Sequence, residues 1–151
     1  MNEVYEGKVI WSQVDANMHL RHSAYADLAA QARYELLDKY GLKPEMFTKH
    51  KISPVLFREE LIYLREVNPN EKIKITSEMV KAREDGSRFS LRQELFKEDG
   101  TKSAIINTDG AWINLETRKL SGLPEELSAI FMNTPRSDDF VLEEAKTPVQ
   151  K

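Results

Sequence analysis

WSQVDANMHLRHSAYADLAAQARYELLDKYG, residues 11–41, runs an acidic loop directly into one long helix. Tyr25, Leu28, Ala29, Ala32, Leu36, Leu37 and Tyr40 recur at three- and four-residue intervals, the period of a helix with one buried face. Both ends are marked: Ser23 or His22 at the N-cap, Asp27 in the first turn, Lys39 in the last, and Gly41 where a left-handed residue closes a helix. A helix over 23–40 spans about 27 Å at ~1.5 Å per residue, enough to cross a small domain. Asp15 thus precedes a helix start whose unpaired backbone N–H groups can hold developing negative charge. A carboxylate beside such a cradle supplies two parts of an acyl-transfer site.

Working outward, Val4 to Trp11 ends in the β-prone triplet Val9, Ile10, Trp11 and reads as a first strand. Beyond the helix the period changes to two. Val55, Phe57, Leu61 and Tyr63 alternate imperfectly with polar positions up to a turn at Asn68, Pro69 and Asn70. Ile73, Ile75 and Met79 then alternate cleanly with Lys72, Lys74 and Glu78. The turns Glu84-Asp85-Gly86 and Glu98-Asp99-Gly100 flank Phe89, Leu91, Gln93 and Leu95 and lead into a strand over 102–115, so an antiparallel meander is expected. Gly110 inside that strand signals a bulge or a close backbone approach. Pro124 to Met132 reads as a short closing helix with Pro at its first position. The polar stretch 133–151 reads as a tail.

The expected fold class is therefore α+β, one long central helix against a twisted five-stranded antiparallel sheet, in a domain over 1–132 with a C-terminal polar tail over 133–151. A chain of 151 residues is long enough for one real core. Its net charge of -3 lacks the basic excess of a nucleic-acid binder, so no nucleic acid is expected as a partner. With no Cys there is no thiol nucleophile and no cysteine-ligated zinc. No run approaches the ~20 apolar residues of a membrane span, so the default location is the cytoplasm. The free face and edges of such a sheet point to a homodimer, with a homotetramer as the next assembly.

The strand ending VIW, the loop VDANMHLRHSAY, the helix segment AQARYELL, the strands LIYLREV and RFSLRQELF, and AWINLETRKLSGLPEEL follow one another in an order that resembles the 4-hydroxybenzoyl-CoA thioesterase-like members of the hotdog-fold family, over roughly residues 4 to 130. The family loop commonly carries two acids two apart, then Gly-His-Val, two Asn and a Tyr. Asp15 matches the second acid, His19 the His, Tyr25 the Tyr, and Arg33 a helix Arg. Gln13 replaces the first acid, Met18 stands for Gly, Leu20 for Val, Arg21 and His22 for the Asn pair, and Ala30 for a frequent Glu.

The resemblance implies hydrolysis of an acyl-CoA or acyl-carrier thioester, without cofactor or metal, at a site between two protomers. Asp15 is then a general base that activates water or a nucleophile that forms a mixed anhydride. The His22 backbone N–H polarises the thioester carbonyl, and His19 and Tyr25 line the substrate site. Arg88, with Arg65 and Arg83, offers guanidinium groups suited to the phosphates of coenzyme A.

Plainer readings stand beside these. Asp-Ala-Asn ahead of a helix is ordinary turn chemistry, Tyr25 can serve as a core anchor, His19 can hold the loop by hydrogen bonding, and the basic residues can be solvated surface. His19, His22 and Asp15 could be drawn as a metal site but lack a companion signature, and no metal is expected. A non-catalytic acyl-thioester-binding protein of the same fold is the alternative to the hydrolase, favoured by the altered loop. A dehydratase or hydratase needs a His and acid pair arranged differently.

Overall fold

We describe residues 4–144 of a computed structural model. The periodic stretch folds into α1 (His22–Lys39), which buries Ala24, Tyr25, Leu28, Ala29 and Ala32. Leu36, Leu37 and Tyr40 are only half-buried. The N-cap is Arg21 in an extended conformation, rather than Ser23 or His22, and no side chain caps the helix. Asp27 consequently lies beyond the first turn, which holds no acid. At the other end Gly41 adopts φ +98°. The amides of Gly41 and Leu42 bond to the carbonyls of Asp38 and Leu37, the paired closure that leaves fewer orphan carbonyls at a helix end.

Five strands pair antiparallel in the order β1-β3-β4-β5-β2: β1 (Val4–Lys8), β2 (Ile52–Tyr63), β3 (Lys72–Arg83), β4 (Arg88–Phe96) and β5 (Lys102–Asn114). The expected meander is β3-β4-β5, with Gly86 at φ +75° and Gly100 at φ +89° in its two turns. With α1 against its inner face, this is the hotdog fold.

The first strand is shorter than the β-prone triplet suggested. Lys8 pairs with Lys72, the first residue of β3; Val9 still exchanges backbone bonds with Asn70 and Glu71 of the turn before it, and the chain then turns into a 3-10 segment over Trp11–Gln13. Gly110 marks a close approach. A Cβ there would stand 2.6 Å from the Phe89 ring and 2.7 Å from the Val55 carbonyl oxygen. The bulge lies opposite, in β2, where the register jumps between Leu56 and Arg58 and leaves Phe57 as the extra residue.

Three further elements correct the sequence reading. A helix α2 (Pro44–His50) precedes β2, with Pro at its start, Glu45 in its first turn and Lys49 and His50 in its last. The closing helix, α3, covers Glu125–Phe131 with Pro124 as its N-cap. The sheet has six strands rather than five, because β6 (Arg136–Glu143) pairs parallel with β3 over residues expected to form a tail. Of the segment read as a tail, 145–151 lies outside the described residues. β6 continues along the edge of β3 that β1 occupies only from Lys72 to Thr76.

The core has two apolar parts. Ala24, Tyr25, Leu28 and Ala29 of α1 pack with Ile73, Ile75, Leu95 and Ile106. Met79, Phe89 and Trp112 pack with Leu123, Leu127 and Phe131 beneath α3, with Phe47 of α2 against them. Buried Ser77, Gln93 and Thr108 lie on the sheet between them. Gln93 Nε2 donates to the Ala29 carbonyl and to Ser77 Oγ, each at 3.0 Å, and its Oε1 accepts from Arg33 Nη1 at 2.9 Å. A buried amide with its bonding groups engaged ties helix to sheet by direction as well as by apolar contact.

Candidate active site

The loop between β1 and α1 closes on itself. Val14 and Leu20 form an isolated bridge, the Asp15 amide donates to the His19 carbonyl, and the Met18 amide donates to the Asp15 carbonyl. Met18 must take φ +62° to complete this turn, in the left-handed region that favours glycine. Asp15 Oδ1 accepts from the amides of Asn17 at 2.9 Å and His19 at 3.2 Å. The side chain is therefore fixed by its own loop through one oxygen.

Arg21 fastens the loop to the helix. Its amide donates to the Gln13 carbonyl, its Nη1 to the Ser12 carbonyl, and its Nε to Ser23 Oγ at 3.0 Å. The Ser23 hydroxyl is thus engaged outside a capping role, and the first amides of α1 remain without a side-chain cap. Orphan N–H groups at a helix start are donors for a negative or carbonyl oxygen.

Asp15, His19, His22 and Tyr25 line one open hollow of about 340 Å³ with Leu20, Tyr63, Leu64, Arg65 and Glu66. Tyr25 is both anchor and lining. It is 3% exposed, its hydroxyl lies 3.4 Å from Ser103 Oγ, and its ring meets Tyr63 edge-on at 5.1 Å. Burial raises the Tyr25 phenol above its ordinary pKa, and the bond to Ser103 offsets part of that rise.

Tyr63 and Glu66 were not singled out from the sequence. Tyr63 donates its hydroxyl to the His22 carbonyl at 3.2 Å, tying the end of β2 to the helix start. A backbone hydrogen bond, and next the nearby His19, hold the Glu66 carboxyl below its ordinary pKa. The signal for them was the failing alternation in LIYLREV, where 62–66 are exposed in succession at the strand's end. Arg88 lies elsewhere. Its guanidinium stands 5.4 Å from the centre of the Phe57 ring, in a separate hollow of about 200 Å³ with Lys81, Ser90, Asp109 and Glu143.

The profile of the thioesterase-like superfamily matches residues 9–131, from the loop ahead of the site through α3. The chain belongs to this superfamily. No match was found among curated proteins. Solved structures share the superfamily member's fold at low identity. A hypothetical protein from Staphylococcus aureus in complex with CoA is 21% identical with a TM-score of 0.81, over 91% of this chain and 89% of that one. A 1,4-dihydroxy-2-naphthoyl-CoA thioesterase from Synechocystis is 16% identical with a TM-score of 0.79, over 88% and 97%. A DHNA-CoA thioesterase from Staphylococcus aureus is 20% identical with a TM-score of 0.78, over 86% and 88%. No helix of this superfamily member, among the described residues, is long and apolar enough to cross a membrane.

Proposed function

We propose that the chain hydrolyses acyl thioesters, acyl-CoA foremost, in the hollow at the start of α1. The carbonyl oxygen accepts from the His22 amide, and the Asp15 carboxylate, fixed through Oδ1, addresses the carbonyl carbon through Oδ2. As a general base it takes a proton from water while the water oxygen bonds to carbon; the C–S bond then breaks and the thiolate leaves, taking up the proton. As a nucleophile it bonds to the carbon itself and expels the thiolate, and water then cleaves the anhydride. His19 and Tyr25 line the acyl side of the hollow. The observation that carries this reading is one hollow lined by both an uncapped helix start and a carboxylate anchored by two backbone amides.

The test is thiol release from short, medium, long and aromatic acyl-CoA substrates. Asp15→Asn keeps an oxygen for the two amides but loses the charge, so kcat should fall by about 10²–10⁴ with the fold intact. Turnover at the wild-type rate in that variant removes Asp15 from the mechanism. A second reading, binding without hydrolysis, is favoured by the engagement of Asp15 Oδ1 in an ordinary turn. It takes over if acyl-CoA binds and no thioester is cleaved.

We further propose a homodimer through β2, which has no strand beyond it on its outer side in the order β1-β3-β4-β5-β2. This 12-residue edge carries exposed Leu56, Phe57, Ile62 and Tyr63. Antiparallel pairing of two copies brings the Tyr63 end of one beside the Ile52 end of the other. Arg88 pairs with Ala111, and Ala111 with Val55, so the partner's Arg88 lies two strands in from that end. From there it is available to the phosphates of coenzyme A. Such pairing makes the hollow a site shared by both protomers.

A further inference from the structure

A further cavity, of about 270 Å³, lies between the C-terminal half of α1, α2, α3 and the sheet. Leu36, Leu37, Phe47, Leu91, Trp112 and Phe131 give it an apolar wall, and Arg33 is the one charged residue in its lining. Arg33 has an unusual environment. Its guanidinium makes a single hydrogen bond, to the neutral Oε1 of Gln93, and no carboxylate among the described residues lies within ion-pair distance. Burial pulls its pKa below the ordinary value, and the charge of Glu59 only partly opposes this. Guanidinium carries five N–H donors in a planar fork matched to carboxylate, so most of its donors are unused here.

A half-buried cation with no carboxylate in ion-pair contact is incompletely compensated, and its natural complement is an anion that brings an apolar body with it. The size is suitable: a dry cavity of about 150 Å³ holds a benzene ring, and this one is larger. We propose that the cavity binds the free carboxylate of a medium-chain aliphatic or aryl acid, head group on Arg33 and tail against Phe47, Leu91 and Trp112. Coenzyme A is not required for this contact. The Asp15 hollow shares no residue with the cavity lining, so the site stands whether or not Asp15 is catalytic.

Trp112 reports occupancy directly, once exposed Trp11 is replaced by Phe, since these are the two tryptophans of the chain. Octanoate and 1-octanol, equal in tail and different in charge, are titrated into Trp11→Phe protein by emission and calorimetry. Octanoate should bind once per chain, shift the Trp112 emission, and bind about tenfold or more tighter than 1-octanol, the worth of one charge-assisted contact. Arg33→Gln should erase that preference and leave 1-octanol binding as it was, whereas Arg33→Lys should keep part of it. Leu36→Trp, half-buried on the α1 wall and off the β2 edge, should block both ligands.

Equal affinities for the two ligands overturn the proposal, as does octanoate binding without change in Trp112 emission or no octanoate binding at all. Asp15→Asn separates the readings. It should bind octanoate as wild type does, and tighter binding in that variant, where a like charge has gone, would place the acid in the other hollow and overturn the proposal.

Discussion

At Met18 a single dihedral angle records what the loop has to do. The turn that lets Asp15 accept two amides requires φ +62°, where an L side chain pays a steric cost that glycine does not. Met18→Gly should raise stability by about 0.5–1 kcal/mol, while Met18→Ile, β-branched in the same conformation, should lower it by roughly 1–2 kcal/mol. Chemical denaturation decides this, and a loss of stability in the glycine variant contradicts the strain reading. Tyr25 offers a different handle. Burial raises its folded pKa above 10.0, so the unfolded chain gives up that proton at lower pH than the fold does. The corresponding stability is intact below about pH 10 and disappears as pH climbs through the folded value. Thermal melts of wild type and Tyr25→Phe should therefore run parallel at neutral pH and converge above pH ~10. Parallel curves throughout would show that the phenol does not carry the effect.

Between helix and sheet, Gln93 links the two apolar clusters. It is fully buried and serves Ala29, Ser77 and Arg33 at once. Gln93→Leu fits the apolar surroundings but strips Arg33 of its only hydrogen bond, so the cost should be about 2–5 kcal/mol despite the gain in hydrophobicity. The double variant with Arg33→Met should recover much of that loss; equal losses in both would rule out the stranded cation as its source. The elements also show where periodicity could guide a reader. α1 and the meander were legible because their apolar spacing is long and their turns carry Asp-Gly. α2 escaped because seven residues are too few to display a face, though Pro44 and the charges at both ends followed helix chemistry. β6 escaped because its burial pattern is mostly exposed, and a polar strand on a sheet edge reads as a tail. The Asp15 loop was readable from residue types, whereas Tyr63 and Glu66 enter the hollow from a strand end distant in sequence, which no local pattern encodes.

For the molecule as a whole, the open flank of β2 should govern assembly. Twelve residues of edge with apolar side chains are a poor terminus for a sheet, and a twofold partner is the economical cover. Sedimentation should give a dimer, and Ile62→Lys with Leu56→Glu should shift it toward monomer and reduce turnover in step. A fully active monomer would show that each hollow works alone. The opposite flank tells of order in time. β3 is flanked on that side by β1, which precedes it in the chain, and by β6, which follows it by more than fifty residues, over neighbouring stretches of its length. During synthesis the side of Met79–Arg83 turned away from β4 must wait, its polar groups bare, until residue 143 clears the ribosome. Until then the nascent domain carries an unsealed seam besides the open β2 flank, and that seam is where a chaperone, or a neighbouring nascent chain, has its opening.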